Sequence, residues 1–479
     1  MIDWVGTGQI CLCTGAPPRS SLAAMGWKQA IRAAGVIAAV VLLGLPRAGG
    51  AAASGELVLV ANTGVPAYGA TTSPKLRPAI SADGRFVAYV AQSGPTGHGD
   101  PLFLRDMRSG ETVEVVHPEQ VGHRSGFDTA APVLSDSGRY LAFASEDPSL
   151  SEDDVDLAGP NPIQDIFVAD RRTGRVKLVS RRSGARGEAS ESNSSLPSIS
   201  ADGRYVAYGT SSTNLNTGSR LVVGGIFSRD LRTEANRMVA GFPGIQFWVP
   251  DVFSPDISGD GRRVAYGSHY SPERLHPNGP QDEFFKALHR RKKQIMLADP
   301  RWERPRAVSR ASGRHGALAD DHCREASASG SGRFVAFTTV ADNLVPGDDN
   351  GVEDVFVRDV RRDRTVLVSR IGRSGPQGNG DSGRPSISAD GRYVAFQSRA
   401  DNLSPRDPDE EQDVFVKDLR TGRLTLVSQG LGGEPSNGRS GAPAISASGH
   451  FVAFASTASN LRPENTGHNL AYYRFRLDG

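Results

Sequence analysis

Two stretches of this chain gather hard oxygen donors at short spacing. The first reads Asp342-Asn-Leu-Val-Pro-Gly-Asp348-Asp-Asn350-Gly-Val-Glu-Asp354. The second reads Asp401-Asn-Leu-Ser-Pro-Arg-Asp407-Pro-Asp409 and ends at Asp413. Carboxylate and amide oxygens at alternate positions beside a glycine suit Ca²⁺, which collects many oxygen ligands at once. Asp348, Asn350 and Asp354 are the candidate ligands, and calcium is the one cofactor this pattern implies. The twelve-residue EF-hand spacing is absent. Asp, Asn, Gly and Pro are also the ordinary formers of turns, so the same residues can be read as loop chemistry alone.

A second group is aromatic. The segment Gly241-Phe-Pro-Gly-Ile-Gln-Phe-Trp-Val-Pro250, followed by Phe253, is unusually apolar for a link. The insertion from His269 to Gln294 carries Phe284, Phe285 and Leu288 at helix-compatible spacing, ahead of the basic run His289-Arg-Arg-Lys-Lys293. Phe242, Phe247, Trp248, Phe253, Phe284 and Phe285 are the candidate residues for docking a protein partner. Such a patch with a basic rim is what a partner site requires. The bland reading is that the aromatics cover one another, with the basic run as a solvated face.

Catalytic signatures are scarce. Gly380-Asp-Ser-Gly383 has the look of a protease nucleophile segment, but Gly438-Arg-Ser-Gly441 stands in the same register of a repeat, which explains both. There is no Gly-x-Ser-x-Gly elbow, no His-Glu-x-x-His and no phosphate-binding loop. His98, His269, His276 and His289, and likewise His123, His315 and His322, fall in variable loops without a fixed register.

All these residues hang on one repeated phrase, roughly Pro-x-Ile-Ser-x-Asp-Gly-Arg-Tyr-Val-Ala-Phe. The copies run Pro78–Tyr89, Pro132–Phe143, Pro197–Tyr208, Pro255–Tyr266, Ala326–Phe337, Pro385–Phe396 and Pro443–Phe454. Their glycines, Gly84, Gly138, Gly203, Gly261, Gly332, Gly391 and Gly449, are spaced 54, 65, 58, 71, 59 and 58 residues apart. Each unit reads strand, Asp-Gly turn, strand, variable loop, a third strand such as Asp413–Asp418, a tight turn, and a fourth strand. Such a period, made only of strands and turns, predicts a seven-bladed, all-β propeller of four-stranded antiparallel blades. The last unit has a third strand around Leu470–Phe475 and no fourth, while Glu56–Val60 precedes the first unit as an orphan. Pairing the two closes the ring and removes the exposed edge.

The phrase resembles the TolB-like β-propeller repeat family, whose blades carry a Ser-x-Asp-Gly-Arg-x-x-Ala-Phe hairpin and an Asp-Ile-Phe-x-x-Asp strand. The resemblance runs from about Leu57 to the C-terminus and implies an extracytoplasmic, protein-binding scaffold, while the excess of Arg over Lys, 48 to 7, suggests a bacterial source. Similar propellers also stand in front of hydrolase domains. TolB itself resembles a small α/β domain joined to six blades, whereas this sequence shows seven blades and no room for that domain. A part in the Tol system is therefore not expected.

Residues 1–53 read as a leader region and 54–479 as one propeller. Within the first, Met25 to Ala53 has a signal peptide's layout: Lys28 and Arg32, an apolar run Ala33–Leu45, then Ala51-Ala-Ala53. Translation is expected to start at Met25. That apolar run is too short to span a bilayer, which needs about twenty residues. Without residues 1–53 the chain holds 51 basic and 52 acidic residues. This gives no electrostatic case for nucleic acid or an anionic membrane. Cys323 is then the lone cysteine, so the core must supply stability without a disulfide.

The sequence thus points to a secreted or periplasmic, monomeric, non-catalytic scaffold. It is peripheral to the membrane at most and binds a protein partner through its variable loops. The rival is a propeller enzyme, a lyase or hydrolase acting on an extracellular polymer at the channel mouth. An enzyme should bring three or more His, Asp or Glu together at the axis, whereas a scaffold should show an off-centre aromatic patch. A third reading is a surface protein stabilised by Ca²⁺.

Overall fold

Each copy of the repeated phrase folds as the two inner strands of a blade. The computed structural model describes residues 55–66, 76–91, 100–116, 129–152, 163–215, 222–243, 252–268, 292–465 and 469–477. Seven four-stranded antiparallel sheets follow one another along the chain. Blade six is representative, with strands Ser382–Ile387, Tyr393–Ser398, Asp413–Asp418 and Leu424–Leu426 from the axis outward. The orphan strand, Gly55–Pro66, pairs antiparallel with Asn469–Leu477 and completes blade seven, as Leu57 opposite Phe475 and Leu59 opposite Tyr473. Tyr472 Oη then donates to Val90 O at 2.8 Å, tying blade seven to blade one. Residues 1–54 lie outside the described residues. No described helix is long and apolar enough to cross a membrane.

The composition of the phrase follows from blades packed face to face. In Tyr393-Val-Ala-Phe396 the last three residues are fully buried, because a neighbouring blade covers each face of the sheet. The phenylalanine stacks on the aromatic of the third strand, Phe396 on Phe415 and Phe337 on Phe356, each at 5.8 Å between centroids. Cys323 is buried in the innermost strand of blade five, Cys323–Ala328, and burial pushes its thiol up to about 11. It is a core residue.

The glycine of the Asp-Gly turn also serves a neighbour. Gly391 has φ +73°, which favours a residue without Cβ. The ring of Phe334, from the preceding blade, lies where that Cβ would be, 2.0 Å away. Gly138 with Phe86, Gly203 with Tyr140 and Gly449 with Tyr393 repeat the contact. Gly391→Ala is therefore expected to lower stability by about 2–3 kcal/mol through αL strain and overpacking. The reading is the denaturant midpoint at constant slope. An unmoved midpoint would mean that the aromatic swings aside freely.

The turns on this face are braced by forks between the Asp-Gly-Arg arginine and the aspartate ending the third strand. Arg139 Nη2 lies 2.7 Å from Asp170 Oδ2, and Arg333 Nη2 2.6 Å from Asp359 Oδ2. The same aspartate accepts turn amides, Arg172 N–H at 2.9 Å in blade two. A buried cation one residue earlier braces the adjoining blade. Arg229 Nη1 donates to the carbonyls of Arg181 and Arg182, both at 3.0 Å. Arg358 reaches Ala311 O and Gly313 O at 3.0 and 3.1 Å, and Lys417 reaches the carbonyls of Arg370 and Gly372.

Candidate binding site in the axial channel

The innermost strands of all seven blades surround a cavity of about 760 Å³. Its wall is mostly proline, isoleucine and alanine, with charge at a few points. Such a concave, largely apolar surface with sparse polar groups is the usual form of a binding site.

Three layers build the wall. Near the Asp-Gly turns, backbone hydrogen bonds run from blade to blade. Ala82 N–H reaches Asp136 O, Asp136 N–H reaches Ala201 O, Ala201 N–H reaches Gly259 O, and Ala389 N–H reaches Ala447 O, all at 2.9–3.0 Å. Small residues stand here because the strands converge. In the middle layer of blades three to six, one side chain satisfies a backbone N–H of the next blade. Ile257 N–H donates to Ser198 Oγ at 2.8 Å, Ile445 N–H to Ser386 Oγ at 3.1 Å, and Ala328 N–H to Asp256 Oδ2 at 2.7 Å. Asp256 stands where blades three, five and six have serine and also accepts the Ser198 hydroxyl at 2.8 Å. Burial pushes its carboxyl up, with those two donors opposing.

The third layer is a bulge in the inner strands of blades two to seven. Register shifts fall between Ser195 and Ser198, Phe253 and Asp256, Arg324 and Ser327, and Gly383 and Ser386. At these four bulges a non-glycine residue takes positive φ: Leu196 54°, Ser254 47°, Glu325 54° and Arg384 53°. These conformations cost about 1–3 kcal/mol each and hold only because the ring around them is fixed. All four residues line the cavity, and Arg77 holds the corresponding place ahead of its proline in blade one. The neighbouring Pro recurs in six of the seven copies. The bulge residue does not, so it is the place where chemistry varies.

The charges at this layer are coupled. Arg77 donates from Nε to Pro443 O at 3.1 Å and from Nη2 to Pro385 O at 3.2 Å, reaching from blade one to blades seven and six. Burial pulls its pKa down, while the fields of Asp256 and Glu325 oppose that. Glu325 Oε2 accepts the Arg384 backbone N–H at 2.6 Å, and Oε1 lies 3.5 Å from Arg384 Nε. Glu353 stands close by, 3.5 Å from Arg324 Nη1, and burial followed by the Glu325 charge pushes it up.

This arrangement can hold a ligand. No histidine lines the cavity. Among the described residues, no three His, Cys, Asp or Glu side chains converge in the channel. His315 is exposed, and His322 Nδ1 accepts the Lys293 backbone N–H at 3.1 Å.

The residues singled out from sequence are placed unevenly. Phe242 lies in the last strand of blade three, Ala235–Pro243, and Phe253 in the first strand of blade four, Val252–Ile257. Phe247, Trp248, Phe284 and Phe285 lie outside the described residues. Asp348, Asn350 and Asp354 do come together. Asn350 Nδ2 donates to Asp354 Oδ2 at 2.9 Å and to Gly378 O at 2.8 Å, and the Ser369 hydroxyl donates to Asp354 Oδ1. Burial, then the Asp354 charge, pushes Asp348 up to about 7, and burial pushes Asp354 up to about 6. The channel residues Arg77, Glu325 and Arg384 were not singled out from sequence. Their signal was the non-repeating position immediately before the first residue of a strongly repeated phrase.

The architecture defines a β-propeller, and solved structures agree. No family model matches the chain, and no curated protein matches it. The oligogalacturonate lyase of Vibrio parahaemolyticus is similar over 88% of this chain and 93% of its own, at 9% identity and a TM-score of 0.50. The β-propeller domain of the Trilobed protease from Pyrococcus furiosus covers 85% of this chain and 97% of its own, at 10% identity and a TM-score of 0.49. TolB from Acinetobacter baumannii covers 85% of both, at 14% identity and a TM-score of 0.37. At such identities the likeness is one of fold.

Proposed function

We propose that this chain is an extracytoplasmic, non-catalytic binding propeller of the TolB-like type, which acts as a monomer and receives a segment of a protein partner at the mouth of its axial channel. The observation that carries this reading is the bulge layer. It presents Arg77, Leu196, Ser254, Glu325 and Arg384 around one opening, at the single position the repeat leaves free. Proline and isoleucine walls suit an extended chain, while the arginines meet its carboxylates. The aromatic residues singled out from sequence, Phe242, Phe247, Trp248, Phe253, Phe284 and Phe285, would extend the contact. Asp256 and Glu325 already hold partners, which favours recognition over acid–base chemistry.

The test is affinity capture from envelope and secreted fractions, using residues 54–479 as bait beside a folded Arg77→Gln/Arg384→Gln variant. The identified partner is expected to bind the variant about 10–100-fold more weakly in calorimetry. A second variant with Phe247, Trp248, Phe284 and Phe285 changed to Ser separates rim from channel. A partner held equally by parent and arginine variant sinks the channel reading. Turnover of an acidic polysaccharide by the parent sinks the non-catalytic one.

A further inference from the structure

Blade six carries a second polar cluster, away from the axial cavity. The loop between Tyr393–Ser398 and Asp413–Asp418 brings Asp407, Asp409 and Asp413 together, one oxygen of each lying within 4.8 Å of the others. Asp407 and Asp413 are each 2% exposed. Asp407 Oδ2 is buried and accepts no hydrogen bond. Asp413 Oδ1 accepts the Ser428 hydroxyl, and Asp409 Oδ1 accepts the Glu411 N–H at 3.0 Å. Among the described residues no lysine or arginine pairs with any of the three. Three carboxylates packed together without a positive partner are costly.

The adjacent blades show how the same nook is otherwise neutralised. In blade five, 59 residues earlier, the set reads Asp348, Asn350, Asp354. There the Asn350 amide supplies the positive end, donating to Asp354 and to Gly378 O, while its oxygen accepts Val352 N–H at 3.2 Å. In blade seven, 58 residues later, Asn465 replaces Asp407 and Ala471 replaces Asp413. The Asn465 amide donates to Ala458 O at 2.9 Å and Tyr473 Oη at 3.0 Å. Both neighbours thus place an amide NH₂ in the nook. Blade six replaces both amides by carboxylates and adds nothing positive.

We propose that a Ca²⁺ ion takes the place of those amides in blade six, bound by Asp407, Asp409 and Asp413. The donor set is oxygen only, which suits a hard cation. Opposite ligands of Ca²⁺ stand roughly 4.6–5.2 Å apart, twice its metal–oxygen distance, so the present spread needs no rearrangement. The Ala400 carbonyl holds the register of Ala458 O and is a candidate fourth oxygen, with water completing the shell. The site differs from the blade-five trio read from sequence, where the Asn350 amide nitrogen already fills that role.

Calorimetric titration of the full chain, freed of metal by chelation, tests this directly. CaCl₂ is expected to bind at one equivalent, with Kd on the order of 10⁻⁴ M as in extracellular modules, and to raise Tm. Asp409→Asn recreates the blade-five arrangement. It is expected to weaken Ca²⁺ binding at least about 100-fold while leaving the metal-free Tm unchanged or higher. The converse Asn350→Asp is expected to add a second equivalent. No binding to the parent at millimolar Ca²⁺, or parent-like binding by Asp409→Asn, overturns the site. Equal affinity for Mg²⁺ overturns the choice of cation.

Discussion

Arg229→Met is expected to lower the unfolding free energy by about 2–3 kcal/mol. The Arg229 side chain is 0% exposed. It donates to the carbonyls of Arg181, Arg182 and Gly184 and to Glu234 Oε2, the last at 2.8 Å. Methionine keeps much of the volume, so the cavity term is small. The loss comes from the charged donor withdrawn from these carbonyls, chiefly Arg182 O, because Arg181 O keeps the Asn236 amide and Gly184 O keeps the Gly187 N–H at 3.2 Å. Glu234 keeps Lys177 at 2.6 Å and is 22% exposed, so its own cost is minor. The repeat supplies the control. At the equivalent place in blade six, Lys417 holds Arg370 O and Gly372 O with an ammonium. Arg229→Lys should therefore recover most of the loss, ending about 1 kcal/mol below the parent. Urea unfolding of the three proteins decides the matter. A methionine variant within about 1 kcal/mol of the parent would show that water replaces the guanidinium at little cost.

Much of this architecture was legible because it was written seven times. The Asp-Gly turns, the Val-Ala-aromatic strand and the orphan Glu56–Val60 each followed from local rules, and the last was found paired as Gly55–Pro66. What stayed hidden depends on residues about one period apart. Gly391 reads as a turn glycine, yet it also receives the Phe334 ring from the neighbouring blade. The aspartate ending each third strand reads as a turn acceptor, which it is, but its fork with the arginine of Asp-Gly-Arg shows only when the sheet folds back. The channel set was hidden for a different reason. A repeat draws attention to what recurs, whereas Arg77, Glu325 and Arg384 sit where recurrence fails. The acidic loops show the converse limit. Blades five and six look equivalent in composition, and only the hydrogen bonds of Asn350 separate them.

Stability should fall between about pH 4 and pH 2, by at most about 6 kcal/mol in all, because five aspartates sit in the same arginine fork and a sixth, Asp299, is held by Arg301 and Arg263. The arginines of Asp106, Asp170, Asp230, Asp299, Asp359 and Asp418 lie within 2.6–2.9 Å of them. Hydrogen bonds from Arg85 and Arg139 lower Asp106 and Asp170 to about 2, against 3.8 for a free aspartate. Burial works against Asp418, yet Arg392 and the turn amides still bring it to about 2. A carboxyl held below its unfolded value stabilises the fold fully above that value. Its contribution disappears as pH falls through the folded value, so the window opens near 4 and closes near 2. The arginine side of each fork meets solvent, so each contributes about 1 kcal/mol rather than the whole shift. Carboxyls pushed up by burial, such as Asp348 and Asp354, have the opposite sign. They favour folding as pH falls towards 4 and are protonated in both states below it, which leaves the acid limb to the forks. Denaturant midpoints measured from pH 5 to pH 2 give the slope. Arg392→Gln/Asp418→Asn should lose about 1 kcal/mol at pH 6 and about one-sixth of the acid drop. A flat profile above pH 3, or a variant with the parent's full drop, would show that solvent has already screened the forks out.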